Sequence, residues 1–304
     1  MRCLDSLAGQ VDHLVYVDSG SKDSSVHEAA SRGALVVELD PSRPFTAARA
    51  RHAGVVALGE TDAAFLQFVD GDCSVDKAWV TEAVKAMKAD PALGLVTGWR
   101  SEVDPDRSVF NALCDYEWHR PAGEIVACGG DMMVRRAAYD EAGGFNARVI
   151  AAEDDEFCLR LGKAGWKLVR LALPMTTHDA NMTRFSQWWR RAVRSGHGFA
   201  QVGHLHPGYF AAEKRRVWTY GVIFPAVMVA LLILWPAALI LIFAAYLLSY
   251  LKTAKGLRQG GLRGATVWKQ SFFLSLSKVP NAIGMGIFHW RRAFGKNMEI
   301  IEYK

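Results

Sequence analysis

Phe65-Leu66-Gln67-Phe68-Val69-Asp70-Gly71-Asp72 is an apolar run that ends abruptly in two carboxylates around a glycine. The run is short, rich in strand-favouring residues and bounded by turn chemistry, so it predicts a strand over residues 64–69. Outward from it the pattern repeats, with strands expected at 14–17, 34–39 and 93–97. Between them, 24–32 closes at Gly33, 46–58 closes at Gly59 and 75–89 ends before Pro91, each with helix-stop residues in place. Strands alternating with helices in this way predict an α/β fold with a mainly parallel sheet.

The chain has 304 residues, 51% hydrophobic and 22% charged, enough to bury a sizeable core and leave apolar sequence over. This excludes a disordered tail and a small disulfide scaffold. Cys3, Cys73, Cys114, Cys128 and Cys158 are odd in number and contain no C-x-x-C pair, which argues against a structural zinc site and for a reducing, cytosol-facing compartment. The charge is divided unevenly: from Arg184 onward there are 17 Lys+Arg against 3 Asp+Glu, and the first 183 residues hold 19 against 28. A basic second half suggests an anionic surface. Its basic residues flank a long apolar run, which favours lipid over nucleic acid.

That run, residues 217–251, carries no charge and is interrupted by Pro225 and Trp235-Pro236. One straight helix of that length would rise about 52 Å, against a hydrocarbon core of roughly 30 Å. Lys214-Arg215-Arg216 before it and Lys252, Lys255, Arg258 and Arg263 after it place both flanks on the cytoplasmic side of a cell membrane. A transmembrane hairpin turning near Trp235-Pro236 is therefore expected, with a re-entrant hairpin as the alternative because the second arm, 237–251, is short. Residues 201–216 read as a basic juxtamembrane linker. In 252–304, a basic linker leads to Trp268, Phe272, Phe273, Leu276 and Val279 near helical spacing. This reads as an amphipathic helix in the membrane interface, or as a soluble helix packing back on the catalytic domain.

Ligands of open α/β sheets bind beyond the carboxyl ends of the strands, which directs attention to Asp18-Ser19-Gly20-Ser21 and Asp70-Gly71-Asp72. Paired carboxylates are hard oxygen ligands suited to Mg²⁺ or Mn²⁺ together with substrate phosphates. The same residues also serve as turns and caps. Glu153-Asp154-Asp155-Glu156 opens another predicted helix. Acidic residues in a first turn suit the macrodipole, but four in succession exceed what capping needs, and their repulsion raises proton affinity as a general base requires.

Together, Asp18-Ser19-Gly20-Ser21-Lys22-Asp23, Arg51-His52-Ala53-Gly54, Asp70-Gly71-Asp72, Gly129-Gly130-Asp131 with Gly143-Gly144-Phe145, and Glu153-Asp154-x-Glu156 resemble, in order and spacing, the family 2 glycosyltransferases of the GT-A fold over roughly residues 1–200. The resemblance implies an inverting transfer of sugar from a nucleotide-diphosphate sugar to a lipid-linked or glycan acceptor. It implies that Asp18, Ser19 and Arg51 meet the nucleotide, that Asp70 sits at the ribose and metal, that Asp72 holds the divalent ion, and that His178 is a further metal or pyrophosphate contact. Asp154 would be the general base. Gly129, Gly130, Asp131 and Glu153 would line the donor-sugar and acceptor region. Gln187-Trp188-Trp189-Arg190-Arg191 resembles the Q-x-x-R-W element of lipid-linked relatives, with Arg191 where that element has Trp, and it implicates Gln187 and Arg190 on the acceptor side.

The opening Met1-Arg2-Cys3-Leu4-Asp5-Ser6-Leu7 reads as the end of the helix that follows the first strand in family members, so a strand is expected to be missing through a misplaced start or a truncation. Two other readings are a catalytically silent sugar-nucleotide-binding module at the membrane, which needs no general base, and a phosphoryl-transfer protein. The latter lacks a phosphate cradle of P-loop form in this sequence.

Overall fold

The computed structural model describes residues 2–302 and divides into two compact units, 1–105 with 114–181 and 106–113 with 182–304. The first unit runs α1 (Arg2–Leu7), β1 (Val15–Asp18), α2 (Ser25–Ser31), β2 (Leu35–Glu38), α3 (Ala47–Leu58), β3 (Phe65–Phe68), β4 (Cys73–Val75), α4 (Trp79–Ala89) and β5 (Leu93–Glu102). After α5 (Val109–Trp118), which begins in the second unit, follow β6 (Gly123–Glu124), β7 (Met132–Arg135), α6 (Arg136–Glu141), α7 (Glu153–Lys163) and β8 (Lys167–His178).

The expected α/β alternation is present, but the pairing is mixed rather than mainly parallel. β1 and β2 pair in parallel as a sheet of their own, and β5 and β8 pair in parallel in a second sheet of order β3-β7-β5-β8-β4. There β7 runs antiparallel to both β3 and β5, and β4 and β6 run antiparallel to β8. β7 was not legible in sequence: Met132-Met133-Val134 is buried outright and too short to announce a period. Residue 75 closes β4 rather than opening a helix, because Asp76 makes a turn, its Oδ1 accepting from Ala78 N–H at 2.9 Å, and α4 starts only at Trp79.

Successive side chains point to opposite faces of a strand, and here each face meets its own core. Leu66, Phe68, Leu95, Met132, Val134 and Leu168 turn towards α3, α6 and α7, while Phe65, Val96, Met133 and Val169 turn towards α1 and α4. Helix α3 also packs on β1, where Gly54 leaves room for Val17. Helix α1 sends Cys3 and Leu7 to the core on β3 and β4, and Leu4 to the core on β1 and β2. Among the described residues, β1 and β3 each pair along one edge only.

The second unit contains α8 (Phe185–Leu205), α9 (Ala211–Trp218), α10 (Phe224–Leu234), α11 (Leu239–Gln259), α12 (Ala265–Leu276) and α13 (Lys278–Ala293). The second unit takes up the chain again at Met182, so it contains all of α8. Helices α9 and α10 join through a wider π turn at Thr219–Ile223, directly before Pro225, whose missing N–H and ring an ordinary turn would not accommodate. Residues 211–234 and 236–259 are both long and apolar enough to cross a membrane. They fold back on each other at Trp235, Tyr246 Oη donating to Tyr220 O at 2.5 Å, with Ile233, Leu234, Ile240 and Leu241 exposed. The second arm is longer than 237–251, since α11 continues through the basic residues to Gln259.

The tail makes two helices, not one. Lys278 and Pro280 lie in the first turn of α13, where a proline is tolerated. Helix α13 packs back on α8: Gly196 faces the Asn281 backbone and Gly284 faces the Val193 backbone so closely that neither position has room for a Cβ. The expected residues 268–276 lie on α12, which packs on α11 and leaves Trp268 and Phe272 exposed.

Candidate active site

Arg51 joins the two acidic segments. It lies on α3, whose first turn is fixed by Thr46 accepting from Arg49 N–H at 3.0 Å. Its Nη2 donates to Asp70 Oδ1 and its Nη1 to Glu153 Oε1, both at 2.7 Å, and its guanidinium lies 5.6 Å from the Phe145 ring. Asp70, just past β3, and the acidic start of α7 therefore meet around one cation. Burial pushes the Asp70 carboxyl up, but Arg51 and then Arg100 outweigh it and hold the group well below the usual carboxylate range.

Asp154 is next to Glu153 on the first turn of α7. Burial, then the Glu153 and Asp155 carboxylates, push its titration well above the ordinary range, against a smaller pull from Arg51. Asp154 Oδ1 accepts from Asp155 N–H at 3.0 Å. Ala152, which precedes the helix, sits at φ 57°, a left-handed conformation that costs a non-glycine residue some strain. Glu156 is structural, forked onto Arg160 at 2.8 to 3.1 Å.

Two donor groups converge where β4 meets β8. Asp72 Oδ1 lies 3.1 Å from His178 Nε2, and Cys73 is beside them. Burial and then Asp131 push the Cys73 thiol far up, and its Sγ donates to Asp131 Oδ2 at 3.2 Å. The carboxylate and imidazole of Asp72 and His178 are a set that fits Mn²⁺. The buried Nδ1 of His178 has no hydrogen-bond partner, with the Glu102 carboxylate 4.0 Å away. A metal-bound histidine ordinarily donates its second nitrogen to such a carboxylate.

Asp18 ends β1 with one oxygen committed and one free. Its Oδ2 accepts from Gly20 and Ser21 N–H at 2.7 and 2.9 Å, while Oδ1 is buried without a hydrogen-bond partner. Burial raises this carboxyl, and the Ser21 and Gly20 hydrogen bonds lower it by more. Ser19 is exposed beside it.

Other expected positions hold the floor together. Asp131 is fully buried and accepts from Asp70 N–H at 2.9 Å and Thr176 Oγ1 at 2.7 Å. A side chain at Gly130 would collide with the Arg51 guanidinium, so that glycine makes room for Arg51. Gly129 likewise faces Arg100, at 3.9 Å from its Cζ. Gln187 Oε1 accepts from Thr183 and Arg184 N–H at 3.0 Å as a cap of α8, and Arg190 is exposed on that helix; both belong to the second unit. Sequence reading missed Arg100, Glu102 and Trp118. The first two lie beyond the expected strand end at Thr97, although β5 runs on to Glu102.

The chain matches the family model described as Glycosyl transferase family 2 over residues 1–143 and that described as Glycosyl transferase family 21 over residues 118–288. It is similar in fold to the mannosyltransferase PcManGT of Pyrobaculum calidifontis, solved with GDP-Man and Mn²⁺, at 18% identity, TM-score 0.61, and coverage of 95% of this chain and 82% of that one. TarS of S. aureus matches at 16% identity and TM-score 0.45, covering 74% of this chain but only 46% of that one. No curated protein matches the chain.

Proposed function

The chain belongs to the glycosyltransferases of families 2 and 21, which move sugar from nucleotide-sugar donors, and from that premise we propose an inverting, metal-dependent transfer to a lipid-linked or glycan acceptor at the cytoplasmic face of a membrane. The observation that carries it is the Asp70–Arg51–Glu153 linkage, which brings Asp154 and the Asp70-Gly71-Asp72 segment around one guanidinium.

Asp18 Oδ1, a buried acceptor lacking a partner, takes a donor of the nucleotide base. Asp72 and His178 hold the divalent ion, with Asp70 beside them. Bound there, Mn²⁺ or Mg²⁺ supplies charge to stabilise the departing diphosphate. Asp154, whose carboxyl is pushed up by burial and its acidic neighbours, takes the proton of the acceptor hydroxyl as that oxygen attacks the anomeric carbon. Attack opposite the leaving group inverts the anomeric centre. The apolar hairpin anchors the chain, and its basic flanks meet the anionic leaflet.

The test is nucleotide-sugar turnover in membranes carrying the full chain, with Mn²⁺ or Mg²⁺ against chelator. Nucleoside diphosphate release should be metal-dependent, abolished in Asp72→Ala and lowered about 10²–10⁴-fold in Asp154→Asn. Turnover that survives both substitutions would sink the assignment.

A further inference from the structure

Arg100 has no role in the mechanism above, yet it stands among that mechanism's residues. Its Nη2 lies 2.8 Å from Asp131 Oδ2 and 3.4 Å from Asp70 Oδ2, its side chain is only 12% exposed, and its Cζ is 5.4 Å from the Trp118 ring. Trp118 in turn meets the His178 ring edge-on at 4.6 Å. The contacts of Arg100 with carboxylates both run from Nη2, and Nε and Nη1 donate to none of the described residues. One end of the fork is thus tethered to a buried carboxylate, and the other N–H groups are uncommitted.

The contacts on Asp70 are unequal. Oδ1 is held tightly by Arg51 at 2.7 Å, whereas Oδ2 has the looser 3.4 Å contact with Arg100. Asp70, which clusters with Cys73 and Asp131 next to the Asp72–His178 group, therefore has Oδ2 left for a divalent ion, and there the ion and Arg100 would compete. Displaced from Asp70 but still paired with Asp131, the planar guanidinium can offer two parallel N–H groups, the geometry that suits a phosphoryl group.

We propose that Arg100 competes with the divalent ion for Asp70 Oδ2 and binds a phosphoryl group of substrate. This rests on the glycosyltransferase reading above. The phosphoryl group belongs either to the donor's nucleoside diphosphate or to a phosphate on a lipid-linked acceptor.

The experiment uses the full chain in detergent micelles and compares wild type with Arg100→Gln and Arg100→Lys. Mn²⁺ alone is titrated by its electron spin resonance, then UDP and GDP at saturating Mn²⁺, then farnesyl phosphate as a lipid phosphate. With the competitor removed, Arg100→Gln should bind bare Mn²⁺ several-fold more tightly. It should bind a phosphate ligand about 10- to 100-fold more weakly. Arg100→Lys, which keeps the charge but loses the fork, should hold Mn²⁺ as wild type does and lose part of the phosphate affinity. Loss confined to UDP or GDP assigns the donor, and loss confined to farnesyl phosphate assigns the acceptor. If Arg100→Gln fails to fold because Asp131 is left unpaired, Arg100→Gln with Asp131→Asn carries the same expectations. Unchanged phosphate binding, or metal and phosphate affinity falling together as a collapsed floor would give, overturns the proposal. A wild type that binds neither UDP nor GDP with Mn²⁺ overturns the glycosyltransferase reading instead.

Discussion

Asp154 is disfavoured as an anion in the folded chain, and that has a measurable sign. A carboxyl whose folded titration lies above its unfolded one lends stability fully below the ordinary carboxylate range and loses it as pH rises through the raised value. Asp154→Asn should therefore melt higher than wild type at about pH 7.5 and at nearly the same temperature by about pH 4, while losing turnover. Wild-type turnover should fall as acid protonates the base. A variant that lost stability along with activity at neutral pH would make Asp154 a packing residue. Legibility at this scale followed chain locality. Asp70, Asp72 and Asp154 stand in compact acidic motifs, and the Arg51 motif was visible too. Arg100 and Glu102 emerge only because β5 continues past Gly98, where a Cβ would run into Trp79, Met175 and the Leu173 carbonyl. No local pattern announces a strand that runs on past such a glycine.

Among the elements, long periodic helices and short strands between glycines were legible, and β7 and the α8–α13 pair were not. What hides the helix pair is that its contact is made of absences. Gly196 and Gly284 let two backbones touch, and a glycine has no apolar side chain to enter a periodicity count. Gly284→Ala should cost about 1–3 kcal/mol in thermal unfolding, since the added methyl meets the Val193 carbonyl and cannot be relieved by a side-chain rotation. Gly286→Ala, two residues along the same helix with nothing within 4 Å of its Cβ, should instead stabilise by about 0.5–1 kcal/mol. Equal effects at the two positions would show that helix propensity, not backbone contact, governs this helix.

For the molecule as a whole, the uneven charge and the apolar run were readable from composition, because membrane-length helices need no tertiary context to stand out. If 211–234 and 236–259 cross a bilayer, the protein should stay in the pellet through alkaline carbonate and high-salt washes and leave it only with detergent. Release by salt alone would mean surface attachment through the basic segments. The first unit carries a different consequence, in its mechanics. The β1–β2 plate and the larger sheet exchange no ladder hydrogen bonds among the described residues, and α1 and α3 rivet them together by side-chain packing. Such a joint is compliant in shear, because apolar contacts resist sliding less than a ladder of directional bonds does. Asp18 lies on one plate and Asp70 beside the other. A nucleotide gripping both would act as a splint, and hydrogen exchange should register it as slowed opening of the β1 and β2 amides, with β5 and β8 almost unmoved.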